Sequence, residues 1–203
     1  MKVKKGAKRL FRIVFIVAVV IILVGVGILC YKRFFDKGKE VVKPEIVDKL
    51  DDYGYSLEKD ATKLDKEMFA ELKKTLNAEE VDEEKYASLV AKMLVADFYN
   101  LDNKVSKNDI GGVQFIKEEY KSNFILEANV YNDRTQVLPI VKSVDIKSIN
   151  TTTYKYKDIT DSKAYKAVVT VSYEKDLGYP KEVTVVMIHN KDNEKKLEVI
   201  KMY

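Results

Sequence analysis

Read as a succession of apolar and polar positions, the chain changes rhythm along its length. Ile13 to Tyr31 (IVFIVAVVIILVGVGILCY) carries no charge. At about 1.5 Å per helical residue it reaches roughly 28 Å, close to the hydrocarbon thickness of a bilayer, and predicts one membrane-spanning helix. From Leu57 the apolar residues recur every three or four positions (Leu57, Ala61, Leu64, Met68, Leu72, Leu76), with Lys, Asp and Glu between them. That spacing predicts an amphipathic helix over 57–77, capped by Ser56 or Asp60. A second helix opens at Asp82, with Glu83 and Glu84 in its first turn, where acids suit the positive end of the helix dipole. Its apolar face runs from Tyr86 to Leu101, and the charge-free run Met93 to Ala96 marks it as the most buried helix. A third helix is expected after Gly111-Gly112, with Val113, Ile116, Tyr120, Phe124, Ala128 and Tyr131 on one side.

Beyond Asn132-Asp133-Arg134 the period falls from near 3.6 to 2, the change that separates helices from strands. Four strands are predicted: Val144–Tyr156, Ala164–Glu174, Glu182–Asn190 and Leu197–Tyr203. In the second, Tyr165, Ala167, Val169, Val171 and Tyr173 share one face. Short polar turns join the strands, so they should pair antiparallel as a meander. The predicted class is α+β: an N-terminal transmembrane helix, then two to three helices packed on a four-stranded antiparallel curved sheet. The expected organisation is a basic cytoplasmic tail (1–12), a transmembrane helix (13–31), a tether (32–56), the amphipathic helix (57–77) and an α+β cone-like domain (82–203).

Charge refines the picture at the amino end. Residues 1–12 hold six of the 36 Lys and Arg and none of the 32 acids. The rest therefore carries 36 minus 6, or 30, basic residues against the 32 acids, and offers no basic stripe for nucleic acid. Lys and Arg flank the apolar run on both sides, but only the short tail lacks acids, which predicts that the tail stays in the cytoplasm and the carboxy-terminal part is exported. The apolar run is too long for a secretory signal and ends without an Ala-x-Ala site, which favours retention. Cys30 is the single cysteine, so an intrachain disulfide is excluded. A lipoprotein signal would need a small residue where Leu29 stands. Abundant Lys, Ile and Asn with no tryptophan is the bias of an AT-rich bacterial genome.

Candidate chemistry is sparse, and no catalytic, cofactor-binding or metal-ligating residue is assigned. The single histidine, His189, shares strand parity with Val183, Val185 and Met187 and reads as a structural residue at the sheet rim. One histidine and one cysteine leave no ligand set for an ordinary zinc or iron site. Gly111-Gly112 is not followed by Gly-Lys-Ser or Gly-Lys-Thr and reads as a flexible entry to the third helix, not a phosphate loop. Asp97 is the odd acid on an otherwise apolar helix. Buried, it would be raised in pKa and could act as a base beside Tyr154, Tyr156, Tyr165 and Tyr173; otherwise it faces water or takes a hydrogen bond from a tyrosine.

The order of elements from Asp82 to Tyr203, with the closing strand Lys195-Lys196-Leu197-Glu198-Val199-Ile200, resembles the cone-shaped domains of the nuclear-transport-factor-like superfamily. There a long curved meander wraps around helices that come earlier in the chain. Joined to one amino-terminal anchor, the layout also resembles the inner-membrane scaffold subunit of bacterial type IV secretion and conjugation systems. The resemblance implies a membrane-anchored extracytoplasmic interaction or scaffold domain, not an enzyme and without cofactor. Its expected partners are the lipid bilayer, other membrane or cell-envelope proteins and a homo-oligomer, with no nucleic acid. The alternative it implies is a small-ligand-binding or enzymatic cavity inside the cone.

Overall fold

In the computed structural model, which describes residues 45–104, 109–128, 137–156 and 159–203, the chain enters the fold as a hairpin. Strands β1 (Ile46–Leu50) and β2 (Tyr55–Glu58) pair antiparallel. Their turn ends at Gly54, whose φ of 68° suits glycine and whose amide donates to the Leu50 carbonyl at 2.8 Å. The expected tether over 32–56 is corrected here. Alternation in Leu50, Tyr53, Tyr55 and Leu57 turns one side of the hairpin to the core, and the compact unit begins at Glu45. The residues expected as tail and transmembrane helix, and those between them and Glu45, lie outside the described residues. Among the described residues no helix is long and apolar enough to cross a membrane.

Helix α1 (Lys63–Leu76) starts later than its apolar spacing suggested, because Leu57 belongs to β2. Its cap is Thr62, not Ser56 or Asp60. The Thr62 hydroxyl oxygen accepts from the Asp65 amide at 3.1 Å, and the Asp65 carboxylate accepts from the Thr62 amide at 3.1 Å. Two amides left over at the helix start are thereby satisfied reciprocally. Met68, Phe69, Leu72 and Leu76 are buried against helix α2 (Glu83–Tyr99), which starts where expected, with Asp82 accepting from the Lys85 amide at 2.9 Å. Eleven of the seventeen residues of α2 are buried, so it is the central rod of the fold.

The expected third helix is broken in two. A short 3-10 turn (Val113–Phe115) precedes helix α3 (Glu118–Glu127), and between them Ile116 is extended, with ψ of 136°. Ile116 makes a parallel bridge to Val199, and the Lys117 amide donates to the Val199 carbonyl at 2.9 Å. A sheet edge therefore captures the backbone that helical spacing assigned to a continuous helix.

Four strands complete the unit: β3 (Val141–Tyr156), β4 (Ile159–Tyr173), β5 (Glu182–His189) and β6 (Leu197–Met202). They lie in the order β3-β4-β5-β6, antiparallel throughout, as the expected meander. Tyr165, Ala167, Val169 and Val171 are buried and belong to the core that α2 shares with the sheet, as their parity predicted. Three register shifts mark bulges, two with the extra residue in β3 and one, beside Thr152 and Tyr154, with it in β4, and bulges bend and twist a strand.

Inside the core three distant segments meet through hydroxyls. The Tyr55 hydroxyl donates to the Leu197 carbonyl at 2.7 Å, which uses its only proton. The 2.8 Å contact between the Tyr55 and Tyr86 hydroxyls must then have Tyr86 as donor, and the Tyr86 oxygen accepts from the Leu197 amide at 2.9 Å. The result is a closed ring of three bonds around one residue of β6. Tyr86→Phe removes the middle member and leaves a buried amide short of a partner, so it should cost about 2 kcal/mol in urea unfolding at unchanged fold; a loss of under about 0.5 kcal/mol would show that the ring contributes little.

Candidate functional site

One concavity among the described residues is a partly open groove of about 1020 Å³. One side is the end of the β3–β4 hairpin, which runs past the end of β5 and contributes Thr160, Asp161, Ser162 and Lys163. The other is the start of α3 with Lys117, Glu119, Tyr120 and Asn123, and the rim is closed by Glu83, Lys191 and Glu194. Charges of both signs line it, while Ile159, Tyr165 and Ile188 supply apolar surface. That lining suits an extended polar segment more than a small apolar molecule.

The groove holds a hydrogen-bonded pair, Asp161 and His189. Asp161 Oδ2 accepts from the His189 amide at 2.8 Å and meets His189 Nδ1 at 2.9 Å, while its Oδ1 accepts from the Lys163 amide at 2.8 Å. Burial alone would raise the Asp161 carboxyl, but the His189 amide and ring and the Lys163 amide together hold it below its ordinary value of 3.8. A carboxylate on Nδ1 fixes the ring's tautomer and orientation, which leaves Nε2 as the nitrogen available to a ligand. No hydroxyl among the described residues is hydrogen-bonded to that ring, and no group of three or more His, Cys, Asp or Glu converges there to hold a metal. His189 sits at the sheet rim as its parity indicated; its pairing with Asp161, 28 positions away, was invisible to motif reading because it is made by strand register.

The residues singled out from the sequence do not assemble into one site. Tyr165 lines the groove, its ring 6.3 Å from that of His189. Tyr173 is at the far end of β4, where its hydroxyl donates to the Pro180 carbonyl at 2.8 Å. Burial pushes both phenols up. Tyr154 is half-buried on the hairpin, and the side chain of Tyr156 lies outside the described residues.

Asp97 joins none of these tyrosines. Its carboxylate is ion-paired with Lys104, which is buried, and accepts from the Gly112 amide at 2.6 Å. The expected partner, water or a tyrosine, is thus replaced by a lysine and a backbone amide. Gly111-Gly112 is correspondingly no flexible entry. A Cβ on Gly111 would overlap the Asp97 carbonyl, and Gly112 holds φ of 76°. The two glycines let the chain lie directly against α2. Around the pair stand Glu58 and Asp65, whose carboxyls are pushed up chiefly by burial and further by the charge of Asp97. Burial alone would lower Lys104, but Asp97, Asp109 and Glu58 outweigh it and raise it. The cluster fastens a loop to α2 at the opposite pole from the groove chemistry and shares no lining residue with it.

Gly111→Ala should therefore destabilise the fold by about 2 kcal/mol or more, read from the urea midpoint, whereas a true hinge glycine would tolerate alanine. For the groove, Asp161→Asn should lose about 1.5 kcal/mol at pH 7 through its charge-assisted bonds. Because folding lowers the Asp161 pKa, this stabilisation is present above 3.8 and lost as pH falls through the lower folded value. Wild type and variant should thus converge in acid, and a pH-independent gap would assign the loss to packing. Compared with protein-family models, curated proteins and solved structures, the chain matches none of them.

Proposed function

We propose that the chain is a single-pass membrane protein whose exported domain, 45–203, binds other cell-envelope proteins through the groove between α3 and the β3–β4 hairpin. The observation that carries this reading is the groove itself: about 1020 Å³, partly open, and lined by Lys117, Lys163 and Lys191 together with Glu83, Glu119 and Glu194. Such a lining matches a partner's charge pattern and gives specificity without demanding great affinity. Anchoring rests on the charge-free stretch Ile13 to Tyr31 and its basic flank. With the folded unit starting at Glu45, only residues 32–44 separate the two, about half the tether first expected. The corresponding fold reading, also ours, is a cone-like domain similar to the nuclear-transport-factor-like superfamily on a scaffold-subunit layout. The bulged, and hence bent, β3 and the helices that precede the meander support it.

A second reading follows from one geometric fact. His189 is held by Asp161 with its ring beside Tyr165, an arrangement that would also orient a small ligand at Nε2. Substituting His189 by Gln tests it against the first, because a peptide groove tolerates that change and a histidine-centred ligand site does not.

Topology and binding are separable in one set of cells. In a Cys30→Ala background, Val137→Cys, a position 62% exposed, should react with a membrane-impermeant maleimide on intact cells. Reaction only after the membrane is opened would overturn the exported orientation. A photoreactive residue at Ser162 should give discrete adducts with envelope proteins that the same group at Lys175, outside the groove, does not give; equal patterns at both sites would overturn the groove as the binding surface.

A further inference from the structure

The outer strand of the sheet carries a second surface, independent of the groove. β3 is bonded to β4 on one side, and among the described residues no backbone-to-backbone hydrogen bond reaches its other side between Lys142 and Tyr156. Unpaired strand edges are templates for another strand unless they are blunted. Here the blunting is partial. Bulges lie between Ile146 and Ser148 and between Thr152 and Tyr154, but the five residues between them run in unbroken register against β4. That window, Ser148-Ile149-Asn150-Thr151-Thr152, is uncharged, free of proline and glycine, and exposed apart from a half-buried Ile149. Ile149, Thr151 and Thr152 are strand-forming residue types, which suits a strand that can pair.

The edge is also self-complementary about one residue. A copy related by a two-fold axis at Asn150 sets Ser148 opposite Thr152 and Ile149 opposite Thr151, the kind of cross-strand pairs that stabilise a sheet. The same axis sets Ile146 opposite Tyr154, just beyond the uninterrupted window. One step further out it sets Asp145 opposite Lys155, twice. Both side chains are exposed, and neither has an ion-pair partner among the described residues. Lys147, in the bulge, turns instead to Glu182 at 2.5 Å. Moving the axis by one residue to Thr151 would put Lys147 opposite Lys155, a like-charge pairing that disfavours that register.

We propose that the outer edge of β3 binds a second copy of this chain, antiparallel and with Asn150 on the two-fold axis, so that two four-stranded sheets become one of eight strands.

The test uses the full chain in cell membranes, in the Cys30→Ala background, with mild oxidation. Asn150→Cys should form a disulfide-linked dimer, because a residue on the axis faces itself at the spacing a disulfide needs. Ser148→Cys and Thr152→Cys, each about 13 Å from its own copy, should link at least about fivefold less when expressed singly, yet link to each other when coexpressed. Asp145→Lys and Lys155→Asp should each lower the Asn150→Cys dimer yield, and together restore it. The proposal is overturned if Asn150→Cys links no better than the flanking cysteines, if coexpression gives no mixed dimer, or if the double charge swap fails to restore the yield. Cross-linking of Asn150→Cys only to a different protein would likewise overturn it, in favour of a foreign strand on the same edge.

Discussion

The ring of hydrogen bonds formed by Tyr55, Tyr86 and both backbone groups of Leu197 is the constraint on which the arrangement of segments depends. A buried amide, a buried carbonyl and two buried phenols would each be costly alone, and the three bonds satisfy them together. The bonds also join positions 31, 111 and 142 residues apart, so β2, α2 and β6 cannot separate without exposing all of them. Apolar burial around α2 supplies the driving force but is not directional. The hydroxyl ring is directional, and it is what makes the hairpin before α1 part of the folded body. Burial of both phenols pushes them up, so the ring keeps its protons at any ordinary pH.

At the other end of α2 the same problem is solved with charge. Lys104 is taken out of water, which its pairing with Asp97 makes tolerable, and the Gly112 amide occupies the second carboxylate oxygen. The pair fixes the chain as it passes over α2, and the absent side chains of Gly111 and Gly112 let it come close enough to do so. Glu58 and Asp65 stand in the same field: burial is the main cause of their raised pKa values, the charge of Asp97 adds to it, and Lys104 offsets part of it.

Where one periodicity governed a segment, the chain could be read directly. The parity of Tyr165, Ala167, Val169 and Val171 told which face of β4 is buried, and Asp82 with its acidic first turn marked the start of α2. The errors fell where two periods fit the same residues. Leu57 and Ala61 continue the helical spacing of α1 backwards, yet Leu57 is also the last apolar position of an alternating strand, and pairing with β1 decided the matter. Val113, Ile116 and Tyr120 fit a helix face, but Ile116 finds a partner in Val199, more than eighty residues on, that no local pattern reveals. The site was less legible than the fold for the same reason. Asp161 meets His189, and Asp97 meets Lys104, through strand register and loop placement, and neither depends on a motif.

The groove inherits an asymmetry from this architecture. Its β-wall is continuous with a sheet that buries Tyr165, Ala167, Val169 and Val171 of β4 and Val183, Val185 and Met187 of β5, whereas its helical wall, α3, contains no buried residue. Helix α3 is tied at its start by the Lys117 amide on Val199, and its partly buried Tyr120 and Phe124 pack against the core, Phe124 on Phe98 at 5.2 Å; Ile125 and Leu126 stay exposed. With so little apolar surface removed from water, the free energy to detach α3 is far smaller than that to expose α2, and local opening concentrates in elements of that kind. On the proposed reading, a partner entering the groove would meet one rigid wall, carrying the oriented Asp161–His189 pair, and one wall able to shift at lower cost to fit it. Stability and adaptability are thus assigned to different sides of the same opening.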